Sequence, residues 1–298
     1  MKIGILTTNQ VQDDNRLVEA ATEKGHSASL LDLRDVSIDL SLDFTTIYYR
    51  NEEITREFDA IVPRLNVSFT DYGINILQQF MCTHTYVSES PDALRLGRDK
   101  LKCLQFLLNK RLPFPGTGIA YSCDNFTSII SRLKFPLVIK LIESTEGIGV
   151  FLAQNQMEAE NIIKTFSLLR APFLVQEFID EAEGQDIRAF VVGDRVAAAM
   201  KRTSLVGDFR ANVSLGAHSV AEKLTDDEEQ IVLQATKSIG VNVAGVDFVR
   251  SHRGPLLLEI NVSPDFTGEQ GIEKITNIDI AAAIIDYTVG QAHEFNYN

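Results

Sequence analysis

The sequence predicts a mixed α/β (α+β) chain, with a parallel, doubly wound lobe at the N-terminus and an antiparallel, sheet-rich region towards the C-terminus. Three observations predict it. Met1 to Thr7 is a buried-type apolar run, followed by helical spacing from about Asp13 to Lys24, a stop at Gly25 and a second apolar run at Ala28 to Asp32. Such a β-α-β start favours parallel strands. Near the other end, the apolar runs Val243 to Val249 and Leu256 to Ile260 flank the polar connection Ser251 to Pro255, which reads as a β-hairpin with a five-residue loop. Between them, LPFPGTG (Leu112 to Gly118) is the stretch best suited to separate subdomains.

At 298 residues the chain is long enough to bury roughly three quarters of its extended surface without disulfides. The formal charge of −13 argues against coating nucleic acid or an anionic membrane surface, since both draw affinity from clustered Lys and Arg. It leaves room for an acidic substrate in a local basic pocket. Cys82, Cys103 and Cys123 form no CxxC, so they read as buried thiols in a reducing cytoplasmic setting. His26, His84, His218, His252 and His293 show no zinc spacing. No export signal or run of membrane-spanning length is evident.

In the first lobe, Phe58 to Leu65 reads as a strand and Asp71 to Met81 as a helix. Without GxGxxG at the first strand end, a dinucleotide site is not expected, and the lobe reads as a scaffold or substrate-side unit. Asp92 to Asn109 has the spacing of one helix, with Lys100 beside its apolar face; alone, that lysine reads as a solvated charge. After a helix near Asn125 to Leu133, the strand Pro136 to Leu141 delivers Lys140 to a loop containing Ser144, Thr145, Gly147 and Gly149. Loops of this kind close over phosphate through backbone N–H groups and a lysine point charge, although a plain hairpin has the same composition. Gln156 to Phe166 reads as a helix on that sheet.

Phe173 to Ile179 on its own reads first as a core strand with a polar turn, and otherwise as a strand whose backbone can meet a planar base around Gln176 and Glu177. Asp186 and Arg188 share one face of the next strand, which turns back at Gly193-Asp194 into Val196 to Met200. Asp186 can accept from ribose hydroxyls; Arg188 can bind phosphate or pair with an acid. GDFRAN places Arg210 and Asn212 at the same spacing, suited to a phosphate or an oxyanion if the segment is not merely a surface loop. Thr225 to Ile239 is an amphipathic helix opened by a Thr225/Glu228 capping box.

If Arg250 pairs with Leu256 across the hairpin, Asp247 falls opposite Glu259, and Asn261 shares their face. Facing carboxylates in a half-buried sheet repel unless a cation or a shared proton lies between them. An all-oxygen set suits Mg²⁺ or Mn²⁺, which keeps positions for water and phosphates. The alternative is a solvent-facing acidic pair on an edge strand, which the apolar neighbours Val246, Phe248, Leu258 and Ile260 disfavour.

With these residues assembled, the chain resembles the ATP-grasp superfamily, and within it the RimK-type α-L-glutamate ligases. The resemblance runs through MKIGIL, RDKLKCLQ, PLVIKLIESTEGIGV, LVQEFIDEAEGQDIR, GDFRAN, VAGVDFVR, LLEINVSP and GIEKITNIDIA, in the family's order. It implies an ATP-grasp fold: an N-terminal preATP-grasp lobe (1–112), a small central lobe (113–179) and a C-terminal antiparallel-sheet lobe (180–298), with ATP between two antiparallel sheets. It makes Lys100 and Lys140 phosphate-binding and 144–149, including Ser144 and Gly147, a mobile lid. Gln176, Glu177, Phe178 and Ile179 become the adenine-facing hinge and Asp186 the ribose contact. Arg210 and Asn212 lie on the γ-phosphate side, and Asp247, Glu259 and Asn261 hold the metal, as two ions of Mg²⁺ or Mn²⁺. Lys140, Arg210 and Arg188 become the catalytic cations.

The implied reaction is ligation of a carboxylate to an amine through an acylphosphate. The implied substrates are L-glutamate and a protein or peptide C-terminal carboxylate, such as that of a small-subunit ribosomal protein, or a growing poly-α-glutamate. The implied assembly is a cytoplasmic homo-oligomer, a tetramer, with no direct nucleic-acid or membrane partner. A ligase for a small-molecule or carrier-protein carboxylate and an ATP-binding module without turnover are the competing readings. The chain departs from the family pattern at Ser144, where Gly is usual, and at Asp265 to Gln270, extra residues after the metal-binding segment.

Overall fold

The computed structural model describes residues 1–41, 45–119, 123–142, 148–205 and 208–297. The N-terminal strands are β1 (Lys2–Thr7), β2 (Ser27–Asp32), β3 (Val36–Leu40), β4 (Thr45–Tyr49), β5 (Glu52–Glu53), β6 (Ala60–Arg64) and β7 (Tyr86–Val87), with helices α1 (Gln12–Glu23) and α2 (Thr70–Cys82). The expected β-α-β start is present as a parallel sheet of order β2-β1-β6-β7. Central β1 is apolar on both faces, and Ile3, Ile5 and Leu6 are wholly buried, as a covered parallel strand requires. Strands β3 to β5 form a separate antiparallel sheet.

The single helix expected over Asp92 to Asn109 is two, α3 (Pro91–Arg98) and α4 (Lys100–Asn109). Asp99 leaves the helical region (φ −93°, ψ 98°), and its carboxylate accepts from the Lys102 N–H at 3.0 Å, capping the second helix. Apolar periodicity continues across the break, which hid it. The end of α3 lies hard against the segment after the late hairpin: a Cβ added at Gly97 would meet Val262 Cγ1 at 2.1 Å.

The next sheet comprises β8 (Thr117–Gly118), β9 (Leu137–Leu141), β10 (Val150–Ala153) and β11 (Phe173–Glu177), in the antiparallel order β10-β9-β11-β8. Helices α5 (Cys123–Ile130) and α6 (Gln156–Leu168) pack on it around Phe126, Phe166 and Phe173. Strand β11 stops at Glu177, two residues short of the expected end, so Phe178 and Ile179 belong to the connection. Asn155 caps α6, accepting from the Glu158 N–H at 3.1 Å.

The third sheet has the order β14-β13-β12-β15-β16, from β12 (Gln185–Val192), β13 (Arg195–Thr203), β14 (His218–Ala221), β15 (Val243–Ser251) and β16 (Gly254–Asn261). The capping box of α7 (Asp226–Ile239) forms as read, with Thr225 and Glu228 exchanging bonds. In the hairpin, Ser251 pairs with Gly254 and Arg250 with Pro255, so the loop is the two-residue turn His252-Arg253 rather than five residues. A bulge at Leu258, between the Phe248–Leu257 and Asp247–Glu259 pairs, then shifts the register by one and brings Asp247 opposite Glu259 after all.

Helices α8 (Ile272–Thr276) and α9 (Ile280–Tyr297) return to the first lobe. Ile280, Ile284 and Ile285 share one apolar core with Leu17, Ala20, Ala21, Ile3 and Ile5, and Lys24–Asp286 (2.8 Å) and Arg16–Asp279 (2.7 Å) lie outside it. Cys103 is buried as expected, which pushes its thiol up to about 12; Cys82 is exposed, contrary to expectation, and the Cys123 side chain lies outside the described part. Among the described residues no helix is long and apolar enough to cross a membrane.

Glu89 joins the first and third sheets: buried, it accepts from the backbone N–H groups of Asn242 (3.1 and 3.0 Å) and Val243 (2.5 Å). Burial raises its carboxyl from an ordinary 4.5 to about 8, against the pull of those N–H donors. The native state therefore keeps a proton that the unfolded chain loses, and stability falls as pH rises from about 4.5 through 8. Glu89→Gln, which mimics the protonated form, is expected to gain on the wild type in urea melts as pH is raised from 5 to 9. A constant difference across that range would contradict the assignment.

Candidate active site

A cleft of about 920 Å³, open space at its mouth included, is lined by residues of the second and third antiparallel sheets and by Lys100 of α4. Lys140, at the end of β9, donates through Nζ to Gln176 Oε1 at 2.7 Å, and Gln176 Nε2 donates to Thr117 Oγ1 at 2.9 Å, so neighbouring strands fix the ammonium. Burial lowers the Lys140 pKa, while the carboxylates of Glu259, Asp247 and Asp186 pull the other way. Lys100 Nζ donates to the Ile142 carbonyl at 3.3 Å. Both lysines therefore face one cleft from different elements.

Glu177, Phe178 and Ile179 line the same cleft, with Val138, Val150 and Leu258 as apolar wall. The Glu177 N–H donates to the Gly116 carbonyl at 2.8 Å, and its carboxylate accepts from Arg253 at 2.9 Å, tying this connection to the hairpin turn. The Phe178 ring meets Phe209 edge-on at 6.1 Å. An apolar slot beside a fixed backbone segment suits a planar heterocycle. Ser144 and Gly147 lie outside the described residues.

The floor of the cleft is ionic. Cross-strand register sets Asp186 opposite Arg202 and Arg188 opposite Asp247. Arg202 clasps Asp186 through two bonds of 2.7 Å and reaches Asp247 Oδ2 at 3.0 Å; Arg188 clasps Asp247 at 2.8 and 2.7 Å. Burial pushes the Asp247 carboxyl up, but the two guanidinia outweigh it and hold it down at about 2. Asp186 shares its one arginine, and burial raises it to about 6. Burial opposes the charge of Arg202 too, and the two carboxylates more than offset it. Sequence reasoning missed Arg202 by ending its strand at Met200; two more residues of alternation would have set it on the face of Asp186.

Asp247, Glu259 and Asn261 do converge: Asn261 Nδ2 lies 3.3 Å from both Asp247 Oδ2 and Glu259 Oε1. The donor set fits a hard divalent ion, with two carboxylates and an amide that can turn its oxygen inward. Arg210 and Asn212 also line the cleft, but the Arg210 guanidinium folds onto Asp208 of its own loop, at 2.8 and 3.0 Å. Asn212 stands where this cleft meets a second cavity.

That second cavity spans about 1550 Å³, open space at its mouth included, and shares Arg202, Asn212 and Glu259 with the first. Arg188 and Asn261 line it, with Arg64 and Arg98 from the first lobe. The extra segment supplies Asp265, Thr267 and Gln270 to its wall. Asp13 Oδ1 accepts from the N–H groups of Phe266 (3.2 Å) and Thr267 (2.8 Å), Arg64 donates to the Pro264 carbonyl at 2.8 Å, and Phe266 is wholly buried. The first lobe thus holds the segment in place. Asp13, Arg64 and Arg98 were not singled out in the sequence, because each acquires its role from contacts across the fold.

Two facing sheets with lysines above and acids below define the ATP-grasp ligase architecture, and solved structures with that architecture superpose on the whole chain. PsnB, an ATP-grasp ligase complexed with minimal precursor, Mg and ADP, matches with a TM-score of 0.76 at 19% identity, over 98% of each chain. A RimK domain protein ATP-grasp from Sphaerobacter thermophilus matches with a TM-score of 0.71 at 21% identity, over 97% of this chain and 100% of that one. The sequence itself matches the RimK PreATP-grasp domain over residues 1–94 and the RimK-like ATP-grasp domain over residues 97–288. It is 44% identical to the probable alpha-L-glutamate ligases of Chromohalobacter salexigens, over 96% of this chain and 94% of that protein, and of Coxiella burnetii, over 96% and 95%. The chain belongs to the RimK family of ATP-grasp proteins and is an ATP-dependent ligase.

Proposed function

We propose that this ligase joins L-glutamate to the C-terminal carboxylate of a protein or peptide, or of a growing poly-α-glutamate. The acceptor carboxylate takes the terminal phosphoryl group of ATP with release of ADP; the glutamate amine then attacks the acyl carbon, phosphate leaves, and the amine proton passes to solvent or phosphate. The relatives named probable alpha-L-glutamate ligase support the amine, and peptide-bound neighbours such as PsnB with its precursor support a peptide acceptor. The observation that carries the reading is the convergence of Asp247, Glu259 and Asn261 where the two cavities meet, Asp247 lining the first, Asn261 the second and Glu259 both.

In this reading Lys100 and Lys140 bind phosphates, Gln176 to Ile179 face the adenine, and Asp186 lies on the ribose side. Arg210, released from Asp208, and Asn212 face the γ-phosphate, with Arg188 beside the acid substrate. Asp247, Glu259 and Asn261 would hold Mg²⁺ or Mn²⁺, as two ions. When bound, the metal neutralises charge on the transferring phosphoryl group. The division into lobes 1–112, 113–179 and 180–298 is part of the same proposal, with the cleft between the second and third.

ADP release by the purified chain is expected to require Mg²⁺, glutamate and a peptide acceptor together, with acceptor mass rising in steps of one glutamyl residue. A chain that binds ATP yet releases no ADP with any amino acid and acceptor would contradict the reading. Mass gain on a small-molecule acid alone would reassign the acceptor.

A further inference from the structure

Arg98 closes α3 at the junction of the first lobe and the late hairpin. Its Nη2 donates to the Leu65 carbonyl, and among the described residues no carboxylate reaches its guanidinium as an ion-pair partner. The other arginines of the second cavity answer acids: Arg64 meets Asp13 (3.3 Å), Asp14 (3.4 Å) and Asp265 (3.5 Å), and Arg188 and Arg202 meet Asp247. Burial lowers the Arg98 pKa to about 10, the neighbouring Arg64 charge adds to the effect, and the Asp265 carboxylate pulls the other way without offsetting them. A partly desolvated cation with no carboxylate paired to it costs stability, and such a cost is retained where a ligand supplies the missing anion.

Its surroundings say where that anion sits. Arg98 lines the second cavity and also a hollow of about 550 Å³ whose wall includes Lys100, Glu259 and Asn261. It therefore shares both hollows with Glu259 and Asn261 of the late hairpin. Backbone packing fixes it there: Ser90 caps the start of α3, and the tight Gly97–Val262 approach holds its end.

We propose that Arg98 binds the side-chain carboxylate of a glutamyl substrate in the second cavity, so that the protein selects glutamate over glutamine. This rests on the glutamate-ligase reading above. A guanidinium fork matches a carboxylate through two parallel bonds, which a carboxamide cannot reproduce. The glutamyl group can belong to the incoming amino acid or to the last residue of the acceptor.

Glutarate, a di-acid without the amine, is the probe. In calorimetric titrations with Mg²⁺ and ADP present, Arg98→Gln is expected to bind glutarate about ten- to a hundredfold more weakly than the wild type, the loss typical of a bond to a charged group. ADP affinity should stay unchanged. Arg98→Lys keeps the charge but loses the fork; it should fall between the two and provides the comparison if the Gln variant does not fold. Two kinetic arms locate the glutamyl group. Loss of glutamate-over-glutamine preference for the free amino acid assigns it to the amine; loss of preference between peptides ending in Glu and Gln assigns it to the acceptor. Equal glutarate affinity in wild type and variants, no glutarate binding by the wild type, or unchanged preference in both arms overturns the proposal. Absence of ADP release by the wild type with glutamate would count against the ligase reading instead, and the glutarate comparison still tests Arg98.

Discussion

Asp247→Asn is expected to lower kcat about a thousandfold or more, since a metal's neutralisation of phosphoryl charge contributes several kcal/mol to the transition state. ATP affinity should fall far less, because Lys100, Lys140 and the apolar slot remain. The substitution also deprives Arg188 of its two bonds to Asp247, so a displaced arginine is a second route to lost turnover. Glu259→Gln separates the two causes. Glu259 touches the Asn261 amide rather than the arginine clasp, so its variant should lose turnover while leaving the Arg188–Asp247 and Arg202–Asp186 pairs intact. Single-turnover ADP formation and nucleotide titration read both quantities; normal turnover in both variants would mean that these acids do not hold the metal.

Arg202→Met is expected to have the largest effect on stability. Arg202 is 2% exposed and is the cation shared by Asp186 and Asp247. Removing one partner of a buried ionic group typically costs about 3–5 kcal/mol, because charges stay buried without compensation. The pH dependence carries a sign. Asp186, already raised to about 6, loses its arginine in the variant and protonates more readily, so the deficit should shrink as pH is lowered towards 5. Adding Asp186→Asn should recover part of the loss, since Asp247 keeps Arg188. Urea melts at two pH values measure this. A variant as stable as the wild type at both would show that Arg202 does not hold the floor of the cleft together.

The parts of the site built from local pattern were legible in the sequence. Alternation along Val243–Ser251 and Gly254–Asn261 was enough to set Asp247 opposite Glu259, although loop length and bulge were both misjudged and their errors cancelled. Helix α7 announced itself by its capping box, whereas Asp99 interrupted a helix without disturbing its apolar spacing. Period-2 reasoning can place a side chain on a face but cannot name its partner. It left Asp186 open to ribose hydroxyls and Arg210 to a phosphate or an oxyanion, and did not anticipate the partners they hold in the structure, Arg202 and Asp208. The second cavity was beyond local pattern altogether. Asp13 meets Thr267 across 254 residues, within a fold whose shared core joins α1, Phe266 and α9.

The central claim is that the acids of the late hairpin hold a divalent ion at the nucleotide's terminal phosphates. Anomalous diffraction from crystals grown with Mn²⁺ and ADP tests it most directly. The account predicts a manganese peak within coordination distance of oxygens from Asp247, Glu259 and Asn261, about 2.0–2.6 Å for hard divalent ions. ADP bound in the cleft with its manganese held by other residues, and these three side chains turned away, would contradict it.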